Sequence, residues 1–338
     1  RRPGRGITVR DCLMRALVCP AYGPVENLEI RELPAPDPGP GQVQIKVRAA
    51  GLNFPDLLSI AGQYQLKLPP PFVPGAEIAG VVTATGTDVR RVKAGDAVIA
   101  MPTGGAFADV CVADEINTVP KPESLSFEEA AGFAITYFTT MHAYRQSAQL
   151  QPGETVLVLG AAGGVGSAAV ELGKAMGARV IAAASTSDKL EFAKALGADE
   201  IINYAEQPLK EAVKALTDGK GVDVVYDPVG GELSEDALRA TGWHGRYLVI
   251  GFASGKIPAL PANLALLKEA SIVGVWWGTW AGRHPQEQFE NMQTLAALLE
   301  EGKIRPRVSA CFALEDYVAA FRSLSERRAT GKIVFTLE

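Results

Sequence analysis

Four cysteines, three histidines and 7% aromatic residues are few for a chain of 338 residues, and each shortage removes a class of function. Cys12, Cys19, Cys111 and Cys311 form no CxxC pair. The chain therefore encodes neither a disulfide framework nor a thiolate-rich zinc site, and a reducing cytoplasm is the expected compartment. His142, His244 and His284 stand in no nucleophile or metal motif, so a Ser-His-Asp hydrolase is unsupported. No stretch approaches the roughly 20 apolar residues that a membrane-spanning helix needs, and no membrane partner is expected. Basic excess is missing as well: 33 Lys plus Arg face 38 Asp plus Glu, a net charge of -5. Nucleic-acid binding normally needs a concentrated positive surface, so none is expected. What is present is 47% hydrophobic residues, enough to bury two cores at roughly 100–200 residues per domain, and the expected partner is a small molecule.

Residues 1–13 carry four Arg and little that builds a core. They read as an extension outside the fold, with a targeting presequence as the rival reading. From Met14 to about Thr118, short strands alternate with Pro and Gly: 15–18, 28–32, 42–50, 77–85, 97–100 and 106–112, the spacing of a compact β domain. After Ser126 strands and helices alternate. Strands are expected at 155–159, 179–184, 200–203, 222–226 and 245–251, with a sixth at 271–277. Helices are expected at 165–176, 189–196, 209–216 and 233–240. Apolar strands with helices between them specify a doubly wound parallel sheet. The remainder, from Thr279, holds one helix at 286–301 and a last strand at 332–337 that returns to the first domain.

The strongest local signal is Thr155-Val156-Leu157-Val158-Leu159 followed by Gly160-Ala161-Ala162-Gly163-Gly164-Val165-Gly166, a glycine-rich turn between a buried strand and a helix. Gly163 lets a pyrophosphate approach the backbone, Gly166 lets helix and strand pack closely, and the helix N-terminus supplies N–H donors. Ala161 stands where the first glycine of the dinucleotide fingerprint usually sits. A site for NAD normally places Asp or Glu at the end of the second strand, about 20 residues on. This chain reads Ala182-Ala183-Ala184-Ser185-Thr186-Ser187-Asp188-Lys189 there. Ser185 and Lys189 suit a 2′-phosphate that a carboxylate would repel, so NADP(H) is favoured. The alternative for Lys189 is a solvated helix start.

Several further segments carry a resemblance: Gly51-Leu52-Asn53-Phe54-Pro55-Asp56 with Gly62-Gln63-Tyr64, then Pro74-Gly75-Ala76-Glu77-Ile78-Ala79-Gly80, and Gly197-Ala198-Asp199 with Asn203-Tyr204. With the glycine turn they resemble the zinc-free medium-chain dehydrogenases and reductases, specifically the NADPH:quinone oxidoreductases related to zeta-crystallin, from Met14 to Glu338. The resemblance implies an α/β protein: a GroES-like β-rich catalytic domain (14–135 and 279–338) clamping a Rossmann doubly wound parallel-sheet domain (136–278) across a cleft. Zinc-dependent relatives have Cys where this chain has Asn53 and His where it has Ala76, so no metal is expected. The same likeness places Asn53 and Thr136 near the nicotinamide end and Gly163, Gly164 and Val165 against the pyrophosphate. Ser185, Lys189 and Tyr204 fall around the 2′-phosphate, and Val229, Phe252, Ala253 and Ser254 beside the nicotinamide ribose. The structural alternatives are that Asn53 ties a loop, Tyr204 packs as a strand-end aromatic and Phe252 belongs to the core.

The economical chemistry is direct hydride transfer from NADPH to a quinone. Tyr64 is the candidate to hydrogen-bond the acceptor oxygen, with a mere wall aromatic as its alternative, and Asp56 is a loop-organising group and lesser candidate. An enone or enoyl thioester is the second acceptor class. A non-catalytic NADPH-binding, crystallin-like or RNA-associated protein is the third reading. Trp276, Trp277 and Trp280 suit core or dimer packing better than an acceptor wall, and the resemblance implies a homodimer joined through the sixth strand.

Overall fold

The computed structural model describes residues 13–338. The expectation of an extension over residues 1–13 thus lies outside the described residues, except that Leu13 already opens the first strand. Two compact units divide the chain: residues up to Ala134 together with Val308–Glu338, and Ile135–Arg307.

The first unit is built on β strands. β1 (Leu13–Val18) and β2 (Glu29–Pro34) form an antiparallel pair. β3 (Gln42–Leu52) is the trunk of the larger sheet, and the short helix α1 (Phe54–Ile60) follows it directly. β4 (Ile78–Thr85), β5 (Ala97–Ala100), β6 (Val110–Asp114) and β7 (Thr118–Pro120) complete its N-terminal part, with β4 and β6 both pairing β3. The strand expected at 106–112 begins only at Val110. Residues before it hydrogen-bond toward β1 instead, as in Leu17 N–H to the Phe107 carbonyl at 2.9 Å. α2 (Phe127–Ala131) starts with a capping box: the Glu129 N–H donates to Ser126 Oγ, and the Ser126 N–H to the Glu129 carboxylate.

In the second unit α3 (Ala134–His142) leads into six parallel strands: β8 (Thr155–Leu159), β9 (Arg179–Ala184), β10 (Glu200–Asn203), β11 (Val222–Asp227), β12 (Thr241–Val249) and β13 (Ser271–Gly274). Their spatial order is β10-β9-β8-β11-β12-β13, so the order reverses between β8 and β11. That reversal is the switch point at which open α/β sheets bind ligands, beyond the carboxyl ends of the strands. β8 and β9 are nearly continuous apolar runs with both faces covered, which is why their bounds can be read locally. The helices are α4 (Gly164–Ala175), α5 (Ser187–Ala195), α6 (Leu209–Leu216), α7 (Leu233–Ala240), α8 (Ala262–Lys268), α9 (Trp277–Arg283) and α10 (Pro285–Glu300).

Two expectations in this region need correction. The sixth strand ends at Gly274, and Trp277 opens a helix in which its indole N–H donates to Gln288 and its ring packs on Phe138. The return to the first unit comes at Val308 and not at Thr279. Buried Asn291 on α10 explains the shift: it exchanges hydrogen bonds with Gln146 and accepts one from Arg145, which keeps α10 with the second unit.

After the return, β14 (Val308–Ala313), α11 (Tyr317–Ser325) and β15 (Lys332–Thr336) complete the first unit. β15 runs parallel to β14 and antiparallel to β3. Phe335 of β15 and Phe321 of α11 meet Phe107 in edge contacts at 5.0 and 6.1 Å, so the last residues of the chain fill the core begun by the first. Rings in that arrangement contribute about 0.5–1.5 kcal/mol per pair beyond the area they bury.

Candidate functional site

In the second unit the expected coenzyme residues gather at the carboxyl ends of the parallel strands. Gly160, with φ +57, ends β8, and a Cβ there would lie 2.8 Å from Val229. Gly166 faces the same turn, where a Cβ would stand 2.1 Å from the Gly160 carbonyl oxygen. Gly163 differs: its nearest neighbour to a Cβ is that same oxygen at 3.4 Å, an ordinary contact. The protein itself therefore does not need glycine at 163. A ligand lying on the backbone would need it. Gly163 is also the N-cap of α4 and offers no capping side chain, so the first-turn N–H groups of Gly164 and Val165 are left as donors for an anion.

Ser185 follows β9, and Lys189 lies in the first turn of α5. Tyr204 follows β10, its N–H bound to the Ala184 carbonyl at 3.1 Å, which ties the third strand end to the second. No carboxylate occurs between Ala182 and Ser187. Thr136, on α3, is buried, and its carbonyl accepts the Thr140 hydroxyl.

At the other side of the switch point two loops are locked together by Asp227, a residue absent from the sequence-based candidates. Its buried carboxylate accepts the Val229 N–H at 2.7 Å, the Gly230 N–H at 2.9 Å and the Ser234 hydroxyl at 2.8 Å. The Tyr247 phenol donates to it as well, and burial first, then the Asp227 charge, pushes that phenol's pKa up. Ala253 and Ser254 donate their N–H groups to the carbonyls of Pro228 and Val229. Val229, Phe252, Ala253 and Ser254 are thus held as one surface. The signal for Asp227 was its place at the end of β11 before Pro228, where a carboxylate can accept the next turn's N–H groups.

The first unit holds Asn53, Asp56 and Tyr64 together. Asn53 precedes α1, and its N–H donates to the Asp56 carboxylate at 2.7 Å. Asn53 Nδ2 donates to the Gly51 carbonyl at 3.3 Å and to Glu77 Oε2 at 3.0 Å. The ammonium of Lys332 donates to Asn53 Oδ1 at 2.6 Å, to Glu77 Oε2 at 3.0 Å and to the Leu52 carbonyl at 3.1 Å. Lys332 is 4% exposed and Glu77 fully buried, so this is a charged network inside the protein. Burial raises the Asp56 pKa to about 7, with the Glu77 charge adding to it while the Asn53 N–H and Lys332 oppose. Burial, then the Asp56 charge, also raises the Tyr64 phenol, which keeps it a proton donor at neutral pH. Sequence reasoning missed Lys332, because a lysine at the start of a strand ordinarily faces water.

Comparison with known proteins identifies the family. The family model of the alcohol dehydrogenase GroES-like domain matches residues 39–145, and that of the zinc-binding dehydrogenases matches 164–299. The chain is 41% identical over 297 residues to quinone oxidoreductase-like protein 2 of Bos taurus, covering 86% of this chain and 84% of that protein. Quinone oxidoreductase of Pseudomonas syringae pv. Tomato DC3000 superposes with a TM-score of 0.90 at 34% identity, covering 96% of this chain and all of the other. A mycobacterial protein whose structure is complexed with NADPH gives 0.90 at 29% identity, with 96% and 100% covered.

The second family description makes zinc the cofactor to test. A catalytic zinc takes thiolate, imidazole or carboxylate ligands. Position 53 offers a carboxamide and position 76 a methyl group, and the Glu77 carboxylate is bound to an internal ammonium. Among the described residues no three His, Cys, Asp or Glu side chains are grouped to hold a metal ion. This donor set does not fit zinc. With its GroES-like unit, its Rossmann sheet and its relatives, the chain belongs to the medium-chain dehydrogenase/reductase superfamily and, within it, to the quinone oxidoreductase family.

Proposed function

We propose that the protein is an NADPH-dependent quinone oxidoreductase that works without zinc. The observation that carries this reading is the open cradle at Gly163 over an uncapped helix N-terminus, beside a second strand that ends in Ser185 and not in a carboxylate. Gly163, Gly164 and Val165 receive the pyrophosphate on backbone N–H groups. Ser185, Lys189 and Tyr204 hold the 2′-phosphate. Thr136, Asn53, Val229, Phe252, Ala253 and Ser254 orient the nicotinamide end. When bound, the reduced nicotinamide supplies a hydride, and with one proton from solvent it converts a quinone to its hydroquinone. Tyr64 donates a hydrogen bond to the acceptor oxygen as negative charge develops on it, a task its raised pKa suits.

The partners follow from the same reading. A quinone is the acceptor, and the assembly is a homodimer in which β13 pairs with its counterpart. Ile272 and Trp276, 42% and 52% exposed, lie on or just after that strand. A cytoplasmic location suits the free thiols of Cys19, Cys111 and Cys311. Among the described residues no helix is long and apolar enough to cross a membrane.

NADPH oxidation across quinones, enones and enoyl-CoA esters tests the proposal. Quinone turnover that exceeds the other two classes and survives chelators is the expected result. NADPH consumption with enoyl thioesters alone would move the protein to the C=C reductases, and tight NADPH binding with no turnover would make it a non-catalytic binder.

A further inference from the structure

The loop that carries Tyr64 is closed at its base by the segment from Cys19 to Gly23. Cys19 and Phe72, beyond the loop, exchange backbone hydrogen bonds at 2.8 and 3.2 Å, and the Gly23 N–H donates at 3.0 Å to the carbonyl of Ile60, where α1 ends. From this strap the Tyr22 side chain grips the loop twice. Its ring lies against Gly62, whose φ is +66 and where a Cβ would stand 2.8 Å from the ring. Its hydroxyl donates to the Leu68 carbonyl at 2.7 Å, and its ring meets that of Phe72 at 6.3 Å. The Lys67 ammonium closes the same span a second time by donating to the Gly62 carbonyl. Within the span the Tyr64 N–H donates to the Leu58 carbonyl at 3.1 Å. Tyr22 is 39% exposed, so filling a core does not account for it.

We propose that Tyr22 is a positioning residue that clamps the two ends of the 62–68 loop and thereby holds the Tyr64 phenol in place as the hydrogen-bond donor to the acceptor. This rests on the reading of Tyr64 as that donor. Every residue of the clamp belongs to the first unit. A loop with free ends loses conformational entropy each time its phenol is aligned with a developing charge, and the clamp orders it beforehand. The half-buried setting that raises the Tyr64 phenol also depends on the loop staying closed, because burial is the first cause of that shift.

The test compares four full-length proteins: the parent, Tyr22→Phe, Tyr64→Phe and the double variant. Tyr22→Phe keeps the ring and removes the bond to Leu68 from an exposed residue, so the fold is not endangered. In spectra of carbon-13 tyrosine the Tyr64 signal is assigned by its loss in Tyr64→Phe. It is expected to titrate at lower pH in Tyr22→Phe than in the parent, a result that needs no turnover. With quinone and saturating NADPH, kcat is expected to fall about fivefold in Tyr22→Phe, the equivalent of one neutral hydrogen bond, while the KM for NADPH stays within about twofold. In the Tyr64→Phe background the same substitution is expected to change kcat by less than about twofold, because the clamp acts through Tyr64. Equal losses of kcat in the two backgrounds would overturn the proposal, and so would a Tyr64 titration that Tyr22→Phe does not move. Undiminished turnover in Tyr64→Phe would overturn the donor reading, and the proposal with it, even if the titration moved.

Discussion

At the scale of single residues, glycines of one turn divide by what confronts them. A methyl at Gly166 meets the Gly160 carbonyl at 2.1 Å, whereas one at Gly163 meets it at 3.4 Å. Gly166→Ala should therefore cost stability, about 3 kcal/mol by the usual penalty of overpacking, read as a lowered denaturant midpoint. Gly163→Ala should leave that midpoint in place and weaken NADPH binding about tenfold or more, because in the proposed complex it is the coenzyme that lies against that position. Equal stability losses in the two variants would refute the assignment. In the proposed site Lys189 meets the 2′-phosphate alone. Lys189→Ala should raise the KM for NADPH about 10- to 100-fold, the equivalent of one lost charge-assisted hydrogen bond, and leave the KM for NADH nearly unchanged. Parallel rises in both would remove the 2′-phosphate from Lys189.

At the scale of elements, the loops after β11 and β12 are shaped by one buried carboxylate. Asp227→Asn keeps an oxygen for the Val229 and Gly230 N–H groups but sets an NH2 where Oδ2 had accepted the Ser234 and Tyr247 hydroxyls, which must then turn to accept. The variant should lose about 2 kcal/mol of stability and bind NADPH more weakly, whereas Tyr247→Phe removes one donor and should cost about 1 kcal/mol. A comparison of the two by denaturant titration and coenzyme fluorescence separates the loop lock from simple burial. α2 offers a control in the first unit. Ser126→Ala removes the acceptor for the Glu129 N–H and should cost about 1 kcal/mol with coenzyme affinity intact.

At the scale of the whole molecule, Asp56 gives the protein's stability a pH dependence of known sign. Its folded pKa, raised to about 7 from 3.8, means that the native state holds a proton the unfolded chain has released between those values. Stability contributed by this group is full below about pH 4 and falls as pH rises toward 7, by at most about 1.4 kcal/mol per pH unit. Asp56→Asn should flatten that portion of a urea-midpoint profile. A profile with the same slope in both proteins would show that another group titrates.

Much of the second unit was legible residue by residue. The bounds of β8, β9, β10, α6 and α7 coincide with those expected, because apolar runs and amphipathic turns between glycine or proline breaks are short-range signals. The missed elements are of another kind. α9 and α11 were not expected, and the strand expected through Trp277 gave way to a helix in which its indole finds Gln288. Sequence alone determined the parallel sheet, the glycine turn between β8 and α4, the lack of thiolate and imidazole at positions 53 and 76, and the family. Only the tertiary structure decided that Lys332 reaches Asn53 across 279 residues, that Asp227 clasps two loops, and that α10 stays with the second unit. The reason is physical: a periodic pattern reports which face of an element is buried, whereas the partner of a buried charge is set by packing between segments that no local pattern relates.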